Sequence, residues 1–236
     1  MIGRIWGSRG GRVLAEARWW ALDYLYAVMW QARAAISRAD PRQYLTGSAR
    51  PVLVIPGIFE TWQFLRPTIE ALHSAGHPVH VVTALQNNRV PLDAAARIVA
   101  DYLLPRDLRG VVIVAHSKGG LVGKRLMLQP STASRIDGMV AVAAPFGGSR
   151  YARFLPLRSL RAFRATDAGL SALGRDLSAN ARIVSVFGVF DPHIPEGSAL
   201  AGAENVRLDT GGHFRVLADP RTVAAVLARA AAPAVR

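Results

Sequence analysis

The tightest constraint on the fold is the run Val111-Val112-Ile113-Val114-Ala115-His116-Ser117-Lys118-Gly119-Gly120-Leu121, in which an apolar segment passes straight into a serine flanked by small residues. Four consecutive β-branched residues predict a buried strand, and Leu121, Val122, Leu126 and Met127 continue at helical spacing. A serine at such a strand-to-helix turn reads as a nucleophile elbow, where the residues two before and two after it must be small for strand and helix to approach. Here those residues are Ala115 and Gly119, one methyl group away from the usual pair of glycines. Lys118 is read through its backbone, since the N–H after the nucleophile lies at a helix N-terminus and can face a developing oxyanion.

A nucleophilic serine needs a base and an acid that orients it, which in this architecture follow in the order Ser, Asp or Glu, His, each after a later strand. Arg182 to Phe190 is strand-like, and Asp191-Pro192-His193-Ile194-Pro195 follows as a turn whose prolines stop further pairing. Asp191 is the candidate acid. Asn205 to Leu208 is a short strand, and the glycine-rich Thr210-Gly211-Gly212-His213-Phe214 after it makes His213 the candidate base. His193 competes for that role, but one short turn would then have to present both acid and base. Asp209 is a weaker rival to Asp191 because it shares the loop of the base. His73, His77 and His80 read as surface or turn residues, and His116 as a packing or hydrogen-bonding group turned away from the nucleophile.

The oxyanion donor from an early strand falls in Pro56-Gly57-Ile58-Phe59-Glu60-Thr61-Trp62, the loop leaving the apolar run 51–55. Gly57 lets the backbone turn close to a substrate carbonyl, so the N–H of Ile58 is the expected second donor, with Phe59 as the alternative.

With these residues in view, the chain resembles the α/β-hydrolases of the bacterial lipase and esterase type. The matching segments are Pro56-Gly57-Ile58, Ala115 to Gly120, Ala143-Ala144-Pro145-Phe146-Gly147-Gly148-Ser149, Asp191 to Pro195, and Gly212-His213, spanning residues 51 to about 232. Proline stands where a histidine often precedes the oxyanion-loop glycine, and lysine follows the serine where methionine or glutamine is commoner. The resemblance implies a serine hydrolase of carboxylic esters with Ser117, Asp191 and His213 as triad. Thioesterases and acyltransferases share this machinery, and a membrane-associated acyl-binding protein is the non-catalytic alternative. Lys118 is expected to bring a cation near the pocket.

Apolar runs at 51–55, 79–83, 111–114, 139–143, 183–189 and 205–208 alternate with helical stretches near 63–75, 91–104, 119–129 and 219–232. That alternation predicts an α/β fold with a mainly parallel sheet and helices on both faces. Residues 51–236 form the expected catalytic domain. Within it, 145–180 is a lid, where Tyr151, Phe154, Leu155, Leu157, Leu160 and Phe163 interleave with Arg150, Arg153, Arg158, Arg161 and Arg164. Residues 1–50 form an amphipathic helical extension outside the catalytic core. Its Trp19, Trp20, Tyr24, Tyr26 and Trp30, preceded by Arg4, Arg9 and Arg12, suit either a membrane interface or docking on the domain. Glu16, Arg18 and Asp23 interrupt the apolar run and argue against a transmembrane span and a cleaved signal peptide.

The formal net charge is +13, yet all but two of the 29 Lys and Arg residues are arginine, scattered through an alanine-rich chain with no nucleic-acid motif. No nucleic-acid partner is expected; the expected partner is a small or lipid-like ester, with peripheral membrane contact through the N-terminal helix. There is no cysteine, which excludes disulfides and thiolate metal sites. No phosphate-cradling loop or ligand cluster points to a cofactor or metal. The expected location is the cytoplasm, with peripheral attachment to membrane.

Overall fold

In the computed structural model, which describes residues 9–153, 163–164 and 166–233, strand β1 (Val52–Ile55) is buried on both sides. Leu53 and Ile55 point into one apolar layer and Val52 and Val54 into the other, which is the two-residue period of a strand covered on both faces. The other strands are β2 (Val79–Val81), β3 (Val111–His116), β4 (Ile136–Val142), β5 (Ile183–Phe190) and β6 (Glu204–Gly211). They lie in the order β2-β1-β3-β4-β5-β6, and every neighbouring pair is parallel.

Strand β4 begins at Ile136, earlier than its apolar run suggests, because Asp137 and Gly138 interrupt the hydrophobic pattern for reasons of packing. The Asp137 carboxylate faces Arg50, and its carbonyl accepts from Arg229 Nη2 at 2.6 Å. A Cβ on Gly138 would lie 2.0 Å from that guanidinium, so any larger residue here would displace the Arg229 side chain.

Among the described residues six helices cover the sheet: α1 (Arg9–Ile36), α2 (Arg66–Ser74), α3 (Leu92–Leu103), α4 (Lys118–Leu128), α5 (Ala168–Arg175) and α6 (Pro220–Ala231). Helices α3, α4 and α5 fill one layer; α3, for example, buries Ala95, Ala96, Val99, Ala100 and Leu103, one stripe of its surface. Helices α1, α2 and α6 contribute to the other layer.

The docking of α1 resolves the two readings of residues 1–50 in one respect. Its Trp30 is buried in the second core layer, Trp19 stacks on Phe190 with centroids 6.2 Å apart, and Asp23 is sealed from solvent. The apolar and aromatic residues on its inner side therefore pack on the sheet domain. Of the lid, Phe154, Leu155, Leu157, Leu160, Arg158 and Arg161 lie outside the described residues, as does Arg4. Its described part holds a short 3-10 turn at Arg150–Arg153, with Ala152 and Phe163 buried, and α5, capped by the Asp167 carboxylate.

Two histidines read as surface or turn residues are neither. His77 is buried and its Nδ1 bonds the Arg50 carbonyl at 2.8 Å. His80 sits inside β2, half-buried against the Tyr102 ring, and burial lowers its pKa. His80 falls inside the run already expected as a strand at 79–83, whereas His77 precedes that strand.

Candidate active site

Ser117 follows β3 in a conformation that side chains avoid, with φ +49° and ψ −120°. Such a residue stores about 1–3 kcal/mol of strain and persists only where its surroundings hold it. The Ser117 N–H is fixed by the Val142 carbonyl at 2.9 Å, while α4 starts at the next residue and passes so close to β1 that a Cβ on Gly119 would lie 2.2 Å from the Ile55 carbonyl oxygen. Ala115 is buried in the strand without difficulty, so the methyl group in place of glycine is accommodated.

The parallel sheet brings the ends of β3, β5 and β6 to one edge, where loops carry Ser117, Asp191 and His213 together. His213 Nε2 faces Ser117 Oγ at 3.0 Å and its Nδ1 donates to Asp191 Oδ2 at 2.8 Å. Asp191 Oδ1 accepts the backbone N–H groups of His193 at 2.7 Å and Ile194 at 3.0 Å, which fixes the carboxylate. All three side chains are buried.

Burial favours the neutral form of both ionisable partners, but their mutual charge and hydrogen bond prevail. The Asp191 carboxyl is held below its ordinary pKa by His213 and the His193 N–H. Against the pull of burial, His213 is raised above the ordinary histidine value by Asp191, with Glu60 and Asp23 adding to the effect.

His193 lies beside this chain of bonds, not in it. Its ring stacks on His213, its Nε2 meets the Tyr24 hydroxyl at 3.2 Å, and burial with the nearby His213 charge lowers its pKa to about 3. Asp209 is on exposed β6 and pairs with Arg221.

The oxyanion loop distinguishes its two candidate donors. The N–H of Phe59, a residue at φ +64°, already donates to the Asn87 carbonyl at 2.8 Å, so Phe59 is removed from that role. The Ile58 N–H has no acceptor among the described residues, and Ile58 lines the cavity above Ser117. Lys118, at the first position of α4, likewise has its N–H in the turn that lacks intrahelical acceptors. Its side chain brings no cation to the pocket: buried Nζ turns away and donates to the Asn88 carbonyl at 2.7 Å and to the Val90 carbonyl. That burial lowers its pKa to about 8.

Three supporting residues escaped the sequence reading. Glu60 Oε2 accepts the Gly57 N–H at 2.8 Å, and its carboxylate lies 2.7 Å from His116 Nδ1. His116 Nε2 in turn meets the His213 carbonyl at 2.9 Å, so one imidazole ties the oxyanion loop to the base loop. Asn88 Nδ2 holds the Pro56 carbonyl at 2.7 Å. The third is Asp23 of α1, whose carboxylate accepts the backbone N–H groups of His213 at 2.9 Å, Phe214 at 2.7 Å and Arg215 at 2.9 Å. A lone acid within an aromatic helical stripe was the available signal for Asp23, as was a carboxylate three residues after Gly57 for Glu60.

A cavity of about 380 Å³ opens over Ser117 and His213. Its walls are mainly apolar, from Ile58, Phe64 and Phe163 of the sheet domain and from Tyr24 and Ala27 of α1. No group of three or more His, Cys, Asp or Glu side chains that could hold a metal ion occurs among the described residues.

No protein-family model matches this chain, and no curated protein sequence matches it. Solved structures do. Aspergillus fumigatus lipase B superposes with a TM-score of 0.65 at 19% identity, covering 86% of this chain but 58% of its own. A bromoperoxidase from Bacillus anthracis gives 0.57 at 15% identity over 78% of this chain and 92% of its own. An extracellular α/β-hydrolase from a Paenibacillus species gives 0.52 at 17% identity over 77% and 98%. With the parallel sheet, the strained serine after β3 and the order of Ser117, Asp191 and His213 along the chain, these likenesses identify the architecture: the protein has the α/β-hydrolase fold.

Proposed function

We propose that the protein is a serine hydrolase of carboxylic esters whose acyl part is apolar. The observation that carries this reading is the unbroken chain from Ser117 Oγ through the His213 ring to Asp191, at the floor of a mainly apolar cavity. His213 Nε2 accepts the Ser117 proton as Oγ attacks the acyl carbonyl, and the charge gained by the ring is met by Asp191. The carbonyl oxygen becomes an oxyanion held by the N–H groups of Ile58 and Lys118. Collapse expels the alcohol, protonated by His213, and leaves an acyl group on Ser117. Water, deprotonated by the same imidazole, then releases the acid and restores the serine.

The apolar walls support medium-chain or lipid-like acyl groups over charged ones. The lipase among the structural neighbours agrees with that choice of substrate class, at an identity that supports the fold alone. The test is hydrolysis of p-nitrophenyl esters from acetate to palmitate. Turnover that disappears in Ser117→Ala, with covalent fluorophosphonate labelling of Ser117 in the parent, is expected. An unlabelled Ser117 with no turnover at any chain length overturns the proposal.

A further inference from the structure

Helix α1 is docked by its inner side, which leaves an outer side that no other described element covers. On that outer side Val13, Leu14, Trp20, Leu25, Val28 and Ile36 are between 50% and 81% exposed, whereas exposed apolar side chains of this size ordinarily occur singly. The charges that accompany them are of one sign. Arg18 and Arg33 of α1 are exposed; of its two acids, Asp23 is sealed against the His213 loop and Glu16 is half-buried with a partner of its own.

The same side of the molecule carries the pocket. Tyr24, Ala27 and Gln31 of α1 line the cavity above Ser117, and Gln31 bonds the Phe59 carbonyl at 2.9 Å. Exposed Arg89 adds another cation there, its guanidinium 5.4 Å from the Phe59 ring centroid. Tyr24 and Tyr151, both cavity-lining, are also exposed.

We propose that the outer face of α1 seats the protein on an anionic lipid bilayer, with the cavity over Ser117 opening beside that contact. A helix of 28 residues lying flat spans about 42 Å of surface. Its exposed Trp and Tyr suit the headgroup level, where amphipathic rings concentrate, and its arginines meet anionic headgroups. No described helix is long and apolar enough to cross a membrane, so the contact is in the plane. A second copy of the chain is a poorer occupant. A two-fold pairing of this face brings arginine against arginine between bodies that each carry a formal +13.

The inference rests on the ester-hydrolase reading only for what the cavity receives from the bilayer. Its test therefore reads binding, by co-sedimentation of the full chain with vesicles of phosphatidylcholine alone or with a third phosphatidylglycerol. The parent is expected to sediment at least tenfold more strongly with the anionic vesicles, and to be released as salt is raised. Ser117→Ala should bind like the parent whether or not the protein is an esterase. The double variant Leu25→Glu with Val28→Glu, at two exposed positions that do not line the cavity, should lose vesicle binding at least tenfold and keep its melting temperature. Equal binding by parent and double variant overturns the proposal. So does a parent that ignores anionic vesicles, or one that forms a dimer in solution which the double variant abolishes, since that assigns the face to a second copy.

Discussion

The His193 ring lies flat against the His213 ring, with centroids 4.6 Å apart and planes within 19°. Two histidines from successive loops thus occupy one stack, yet only the His213 ring reaches both Ser117 and Asp191. His213→Ala is expected to remove nearly all ester turnover, about 10⁴-fold or more by comparison with triads generally. His193→Ala, which removes a ring bonded to Tyr24, should cost less than about tenfold. Steady-state kinetics on one soluble ester decides the matter, and the reverse ranking would exchange their roles.

The rate should carry the electrostatics of this pair in its pH dependence. His213 acts as a base when neutral, and its pKa is raised despite burial, so kcat/KM should climb with pH through a midpoint above the ordinary value of about 6.5. Asp191→Asn removes the anion that raises it, so the surviving activity should have its midpoint at lower pH. The same pair contributes to stability in a window. The raised His213 value gives stability that is full below the unfolded pKa and lost as pH rises through the folded one; the lowered Asp191 value gives stability lost as pH falls through its folded value. Melting temperature against pH should therefore lose most of its His213 dependence in Asp191→Asn.

Asp23 is expected to matter to both stability and catalysis. Asp23→Ala leaves one buried and two part-buried N–H groups without their acceptor and should destabilise the fold by about 3 kcal/mol, within the range for unsatisfied donors. Because the donors belong to the base loop, kcat should fall more than about tenfold at temperatures where the variant is fully folded. Calorimetry alongside initial rates separates these effects, and an unaltered kcat in folded Asp23→Ala removes Asp23 from any part in holding the base.

Glu60 should act through the oxyanion loop. A Cβ on Gly57 would lie 2.5 Å from Glu60 Oε1, so substituting Gly57 disturbs the carboxylate as well as the donor and cannot isolate either. Glu60→Ala instead releases the Gly57 N–H and one side of His116. Turnover should fall by up to about 10²-fold, the lower end of the cost of a lost oxyanion donor. KM for a soluble ester should change much less than kcat, and a variant with parental kcat would show that the loop holds its shape without the carboxylate.

Residues whose position follows from a strand end were legible in the sequence. Ser117, Asp191 and His213 each come just after an apolar run, and parallel pairing is enough to collect them at one edge. What was not legible depends on direction and distance in space. The choice between Ile58 and Phe59 turned on a positive φ at Phe59 and a bond to Asn87 that no local pattern encodes. The Lys118 ammonium sits against carbonyls of residues about 30 positions earlier, so sequence adjacency to Ser117 misled about where its charge lies. Asp23 was read as an interruption of an apolar run, which is correct as far as it goes, but the groups it serves lie at the far end of the chain.

The Asp23 contact joins residues 190 positions apart, which bears on how a newly made copy acquires its chemistry. At about 5–20 residues per second, a ribosome finishes the loop of the base roughly 10 to 40 s after it has laid down the acid that anchors it. On the proposed assignment Ser117 exists without its base throughout that interval, and a chain released before the loop after β6 lacks the proposed activity. Proteolytic removal of the first helix from a finished copy takes away the same anchor. The proposed hydrolytic centre is thus completed only when the loop after β6 is made, and it then depends on an acid laid down 190 residues before.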